Sequence, residues 1–99
     1  MMTMAVLRAK RDDIVRIATS HGARRIRLFE CVARDEADER SDVDILVAMD
    51  PGRTLLDIGA LLSELRDLLG CEVDVVTEGE LDSAPPWAKD AVMREAVAL

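Results

Sequence analysis

Ser41-Asp42-Val43-Asp44-Ile45-Leu46-Val47 places two carboxylates two residues apart at the head of an apolar run. In a β-strand, residues i and i+2 share a face, so Asp42 and Asp44 are expected side by side, with Val43 turned away. Neighbouring carboxylates repel each other and are costly to keep ionised unless a cation joins them. Mg²⁺ suits such a pair, because it takes oxygen ligands and commonly uses one or two carboxylates together with substrate phosphates. The continuous Ile45-Leu46-Val47 predicts a central strand, buried on both faces. A second strand-like run, Glu72-Val73-Asp74-Val75-Val76, offers a further carboxylate in Asp74. Two close metals that clamp an in-line phosphoryl displacement would use such a trio.

Working outward from these strands, residues 4–20 carry Val6, Leu7, Ile14, Val15, Ile17 and Ala18 between charges, which predicts one amphipathic helix ended by His21-Gly22. Arg25-Ile26-Arg27-Leu28-Phe29 alternates polar and apolar and predicts a short strand. Residues 30–40 are polar, with a short helix expected near Val32-Ala33. After the turn signal Asp50-Pro51-Gly52, Thr54 and Asp57 have the spacing of a capping box. A helix follows with Leu55, Leu56, Ile58, Leu61, Leu62, Leu65, Leu68 and Leu69 as its apolar stripe, and Gly70 ends it. Residues 71–76 predict a third strand, residues 77–83 a loop, and Pro85-Pro86 the opening of a last helix over residues 87–96. The expectation is a single α+β domain over residues 1–99, with the order α-β-α-β-α-β-α and a small mixed sheet of about three strands under packed helices. The strand–helix–strand unit makes the second and third strands parallel.

Composition narrows the function classes. A hydrophobic fraction of 49% with only Phe29 and Trp87 as aromatics gives an aliphatic core. Trp87, after two prolines, suits a core plug or an interface anchor equally well. A formal charge of -7 argues against a duplex nucleic-acid binder, which needs a basic face to neutralise phosphates. It leaves room for a nucleoside triphosphate, whose charge Mg²⁺ can offset. No apolar run approaches the roughly 20 residues of a membrane span, and residues 1–10 have no apolar signal core, so the expected location is cytoplasmic. Cys31 and Cys71 are expected as thiols there. The single His21 excludes a multi-histidine metal site.

The wider spacing carries more than Asp-x-Asp alone. Leu28-Phe29 precedes Glu30-Cys31; ten residues, 32–41, separate that pair from Asp42-Val43-Asp44. With Ala33-Arg34, residues 51–57, Val73-Asp74-Val75-Val76-Thr77 and Arg94-Glu95-Ala96, the chain from Ile26 onward resembles the minimal nucleotidyltransferases, the smallest members of the DNA polymerase β-like superfamily. The resemblance implies that Asp42, Asp44 and Asp74 are catalytic and hold two Mg²⁺ ions, and that Cys31 and Arg34 contact the nucleotide. It implies AMP transfer from ATP to a hydroxyl, a tyrosine, of a HEPN-type toxin for which the protein serves as antitoxin. A homo-oligomer is compatible with it.

The chain also departs from the family pattern. Glu30-Cys31 stands where the family has Gly-Ser, and Asp35 where a further glycine is usual. Glycine lets backbone N–H groups approach a triphosphate. A carboxylate there, about 4 Å from a phosphate charge, meets repulsion on the order of 4 kcal/mol at an effective dielectric near 20. The metal half of the site is intact in sequence and the phosphate half altered. A second reading is therefore a catalytically inactive member that neutralises a partner toxin by direct binding.

Overall fold

The Val43–Met49 strand (β2) is buried along nearly its whole length because both of its faces are covered. The structure is a computed structural model, and it describes residues 4–29 and 43–99. The elements are α1 (Met4–Ala9), α2 (Arg11–Ser20), β1 (Ala23–Phe29), β2, α3 (Leu55–Leu69), β3 (Val73–Thr77), α4 (Glu78–Asp82), α5 (Pro86–Glu95) and β4 (Val97–Ala98). The sheet order is β3-β2-β1-β4, with β2 and β3 parallel and the other two pairings antiparallel. The α+β class, the central strand and the parallel pair are as the sequence predicts. The short helix expected near Val32-Ala33 lies outside the described residues.

Alternation along β2 divides the molecule. Val43, Ile45 and Val47 join Leu7, Ile14, Ile17, Leu28, Leu61, Leu65, Val73 and Val75 in the larger core under α2 and α3. Leu46, on the other face, meets Phe29 and Leu81, with Val76, Val92 and Ala96 partly buried around them. Helices thus cover both faces, and α4 and α5 cover the one that also carries Asp44.

Four local features differ from the sequence expectation. The first helix is broken at Lys10, whose backbone (φ -100, ψ 11) separates α1 from α2. The segment expected as a loop holds α4, where Thr77 and Glu80 form a reciprocal capping box that satisfies two otherwise orphan N–H groups. A fourth strand, β4, adds two residues to the edge beside β1. Leu55 and Leu56 belong to no core: they are 82% and 85% exposed, while Leu61, Leu65 and Leu69 are buried. Trp87 is 75% exposed, which excludes the core-plug role. Cys71 is a partly buried cysteine against the larger core. Among the described residues no helix is long and apolar enough to cross a membrane.

The start of α3 follows its sequence closely. Thr54 has an extended backbone and accepts from the Leu56 amide, while Asp57 accepts from the Thr54 amide at 2.9 Å. Gly70 ends the helix in the left-handed region at φ 67, where glycine has no side-chain penalty. Thr54→Ala is expected to lower stability by about 1 kcal/mol, read as a shift of the urea midpoint with unchanged slope. The Thr54 amide, with Arg53 beside it, holds the Asp57 carboxyl below its ordinary value of 3.8. A depressed carboxylate contributes stability above its unfolded pKa and loses it as pH falls through the folded one. Stability should accordingly drop on acidification below about pH 3.8, and less so in Asp57→Asn.

Candidate active site

Asp44 is the second residue of β2 and lies on the Leu46 face by alternation. It is 4% exposed, a buried carboxylate in the central strand of the sheet. A carboxylate is kept at such a position only with partners or a compensating charge. Its neighbour in the parallel ladder is Asp74 of β3, in direct register. Paired residues on adjacent strands project to the same face, and neighbouring strands lie about 4.8 Å apart. Asp74 is exposed, and Val73 and Val75 turn into the larger core on either side of it. One acid is thus buried and the other open to solvent, side by side at the N-terminal ends of two parallel strands.

Phe29 pairs with Asp44 from the opposite side, so Phe29, Asp44 and Asp74 form one row across three strands. The next rung of the sheet pairs Leu28 with Val97. The C-terminal end of α5 therefore stands at the same end of the sheet as the two acids. Residues 30–42 join Phe29 to Val43, so their two points of attachment flank this row.

Of the residues singled out from sequence, Asp44 and Asp74 are brought together. Asp42, Cys31 and Arg34, and with them Glu30 and Asp35, lie outside the described residues. Among the described residues no three His, Cys, Asp or Glu side chains gather as a metal-binding group; a trio would require Asp42. The donor set that is described, two carboxylates from neighbouring strands, is made of hard oxygen ligands and fits Mg²⁺ better than a thiolate- or imidazole-preferring metal.

Sequence reasoning did not anticipate the charged clasp beside this row. Arg27 pairs with Leu46 in the sheet and so lies on the face of Asp44. A β-bulge between Arg24 and Arg27 puts Arg25 in the left-handed region at φ 53, unusual for a residue with a side chain. Arg25 Nη2 then reaches Glu78 Oε1 at 3.0 Å, and Arg27 Nη2 approaches Glu78 Oε2 at 4.0 Å. Glu78 opens α4 directly after β3, so the clasp joins β1 to the far side of β2 across the covered face. The regular Arg25-Ile26-Arg27 alternation gave no sign of the bulge, because arginine has no left-handed preference to mark one.

The nucleotidyltransferase domain family matches residues 11–99. A provisionally named protein adenylyltransferase of Methanocaldococcus jannaschii is 44% identical over 84 residues, covering 85% of this chain and 87% of its own. The protein adenylyltransferase MntA of Thermococcus cleftensis is 37% identical over 94 residues, covering 87% of this chain and 92% of its own. A solved structure provisionally named a minimal nucleotidyltransferase superposes with a TM-score of 0.75 at 44% identity, over 99% of this chain and 97% of the other.

Proposed function

Because the chain belongs to the nucleotidyltransferase domain family, we propose that it transfers AMP from ATP to a hydroxyl of a partner protein. The observation that carries this reading is the in-register pairing of Asp44 with Asp74 on one face of adjacent parallel strands. The acceptor oxygen would attack the α-phosphorus, the bond from that phosphorus to its bridging oxygen would break, and pyrophosphate would leave. Asp74, the exposed member of the pair, would take the proton of the attacking hydroxyl. Asp44, with Asp42 two residues before it in sequence, would hold Mg²⁺ and through it the triphosphate. Bound there, Mg²⁺ supplies Lewis-acid stabilisation of the charge that develops on the phosphate oxygens. Asp74 would complete the set for a second ion. Arg34 and Cys31 would contact the nucleotide from the connecting segment.

The names of the adenylyltransferase relatives support a protein acceptor. We take that acceptor to be a HEPN-type toxin modified on tyrosine, with this chain as its antitoxin. A cytoplasmic setting suits an ATP-dependent step. A second reading, neutralisation of the toxin by binding alone, is favoured by one specific feature: Glu30, Cys31 and Asp35 where the family has Gly, Ser and Gly.

The two readings separate in the double variant Glu30→Gly with Cys31→Ser. Relieving part of a repulsion on the order of 4 kcal/mol is expected to tighten Mg²⁺-dependent ATP binding by at least about tenfold, measured by titration calorimetry. Transfer by both native chain and variant supports the enzyme. Transfer by the variant alone identifies the native protein as a binder that keeps the metal carboxylates.

A further inference from the structure

We propose that the open surface along α5 receives the nucleoside of the triphosphate, with the Met93 thioether as the surface on which the base rests; the inference rests on the nucleotidyltransferase reading above. An open, shallow depression of about 430 Å³ is bordered, among the described residues, by Asp90, Met93 and Arg94. These residues are spaced i, i+3 and i+4 and so form one patch of helix surface.

Three placements tie this depression to the acidic row. Val92, next to Met93, packs with Phe29 and Leu46 on the face that carries Asp44. Arg27, on that same face, donates from Nη1 to the Met93 sulfur at 3.6 Å. The rung from Leu28 to Val97 sets the end of α5 beside Phe29, the residue paired with Asp44. A nucleotide with its phosphates at Asp44 and Asp74 would therefore direct its nucleoside along the row, past Phe29, toward Met93.

The chemistry of the wall suits a base. A purine needs a flat or soft apolar surface, and this chain has few aromatics to offer. Phe29 is buried against Leu46, and Trp87 stands in the first turn of α5, away from its C-terminal end. Met93 is 43% exposed, a large apolar side chain left open to solvent. Its polarizable sulfur makes favourable contacts with aromatic rings and adapts to their shape. Asp90 and Arg94 border it with an acceptor and a guanidinium for the polar edges of the base.

The test compares ATP with inorganic tripolyphosphate, both titrated with Mg²⁺ into the native chain, Met93→Ala, Met93→Leu and Asp44→Asn. Met93→Ala is expected to weaken ATP about fivefold and to leave tripolyphosphate unchanged, with Met93→Leu retaining most of the ATP affinity. Because Met93 is 43% exposed and belongs to neither buried cluster, its variants should melt close to the native protein, and a melting curve checks this. Unchanged ATP affinity in Met93→Ala would overturn the inference, as would an equal loss for ATP and tripolyphosphate. If Asp44→Asn kept native affinity for both ligands, the metal-phosphate reading would fall, while the Met93 comparison would still decide the nucleoside site. No ATP binding by the native chain would overturn both.

Discussion

Asp44→Asn is expected to abolish Mg²⁺-dependent ATP binding and to lower nucleotidyl transfer by at least about a hundredfold. The substitution keeps the shape of the side chain and removes only its charge. At a site 4% exposed in the central strand, that charge is the property that matters. A neutral amide cannot replace a carboxylate as a strong ligand for a hard cation, and without the cation the triphosphate faces an acidic protein of net charge -7. The melting temperature is read alongside, because Asp44 is buried in the central strand. Loss of function with an unchanged or higher melting temperature distinguishes a ligand from a structural residue; a fall in both would point to a structural role. Asp74→Asn is expected to differ in kind. Asp74 is exposed and assigned to the attacking hydroxyl, so ATP binding should survive in part while transfer is lost.

The second large effect is on stability. Leu61 in α3 is fully buried against the β2–β3 face of the larger core. Leu61→Ala removes apolar contacts and leaves a cavity that the aliphatic surroundings fill only partly, at a cost of about 2–5 kcal/mol. Domains of this size are stable by only about 5–15 kcal/mol. At about 4–8 °C per kcal/mol, the melting temperature should fall by roughly 10–20 °C or more, checked by circular dichroism. Leu56→Ala, at a position 85% exposed five residues earlier on the same helix, should stay within about 0.5 kcal/mol of native. Equal losses at the two positions would contradict the assignment of which leucines form the core.

How legible the fold was in the sequence depends on the kind of signal each element uses. Strand β2 announces itself through a continuous Ile45-Leu46-Val47, and burial on both faces is what such a run requires. Helix α3 is written three times over, in its cap, its stripe and its terminal glycine. The break at Lys10 has no comparable mark. Leu7, Ile14, Ile17 and Ala18 all face the core at spacings that an unbroken helix would also satisfy. Strand β4 is made by backbone pairing with Arg27 and Leu28, which Val97-Ala98 do not advertise. Helix α4 did carry a signature, Thr77 and Glu80 at capping-box spacing. Its five residues with an internal Gly79 also read as a loop, and the structure decides for the cap.

The candidate site divides in the same way. That Asp44 and Asp74 lie on the opposite face from Val43, Val73 and Val75 follows from two-residue alternation, and the parallel unit brings the strands together. Their direct register does not follow from alternation alone; it is fixed when Val43, Ile45, Val73 and Val75 pack together under α3. The Arg25–Glu78–Arg27 clasp depends on a bulge with no residue-type marker. Met93 likewise becomes a candidate only when β4 sets the end of α5 beside Phe29.

The most direct test of AMP transfer follows the α-phosphate. ATP radiolabelled at the α- or the γ-position is incubated with Mg²⁺, the native chain and a HEPN-type toxin, and protein-bound label is measured after denaturation. Covalent label on a toxin tyrosine from α-labelled ATP, none from γ-labelled ATP, and none with Asp44→Asn is the predicted result. Label arriving from the γ-position, or no α-label on any protein while the native chain binds ATP, would contradict it.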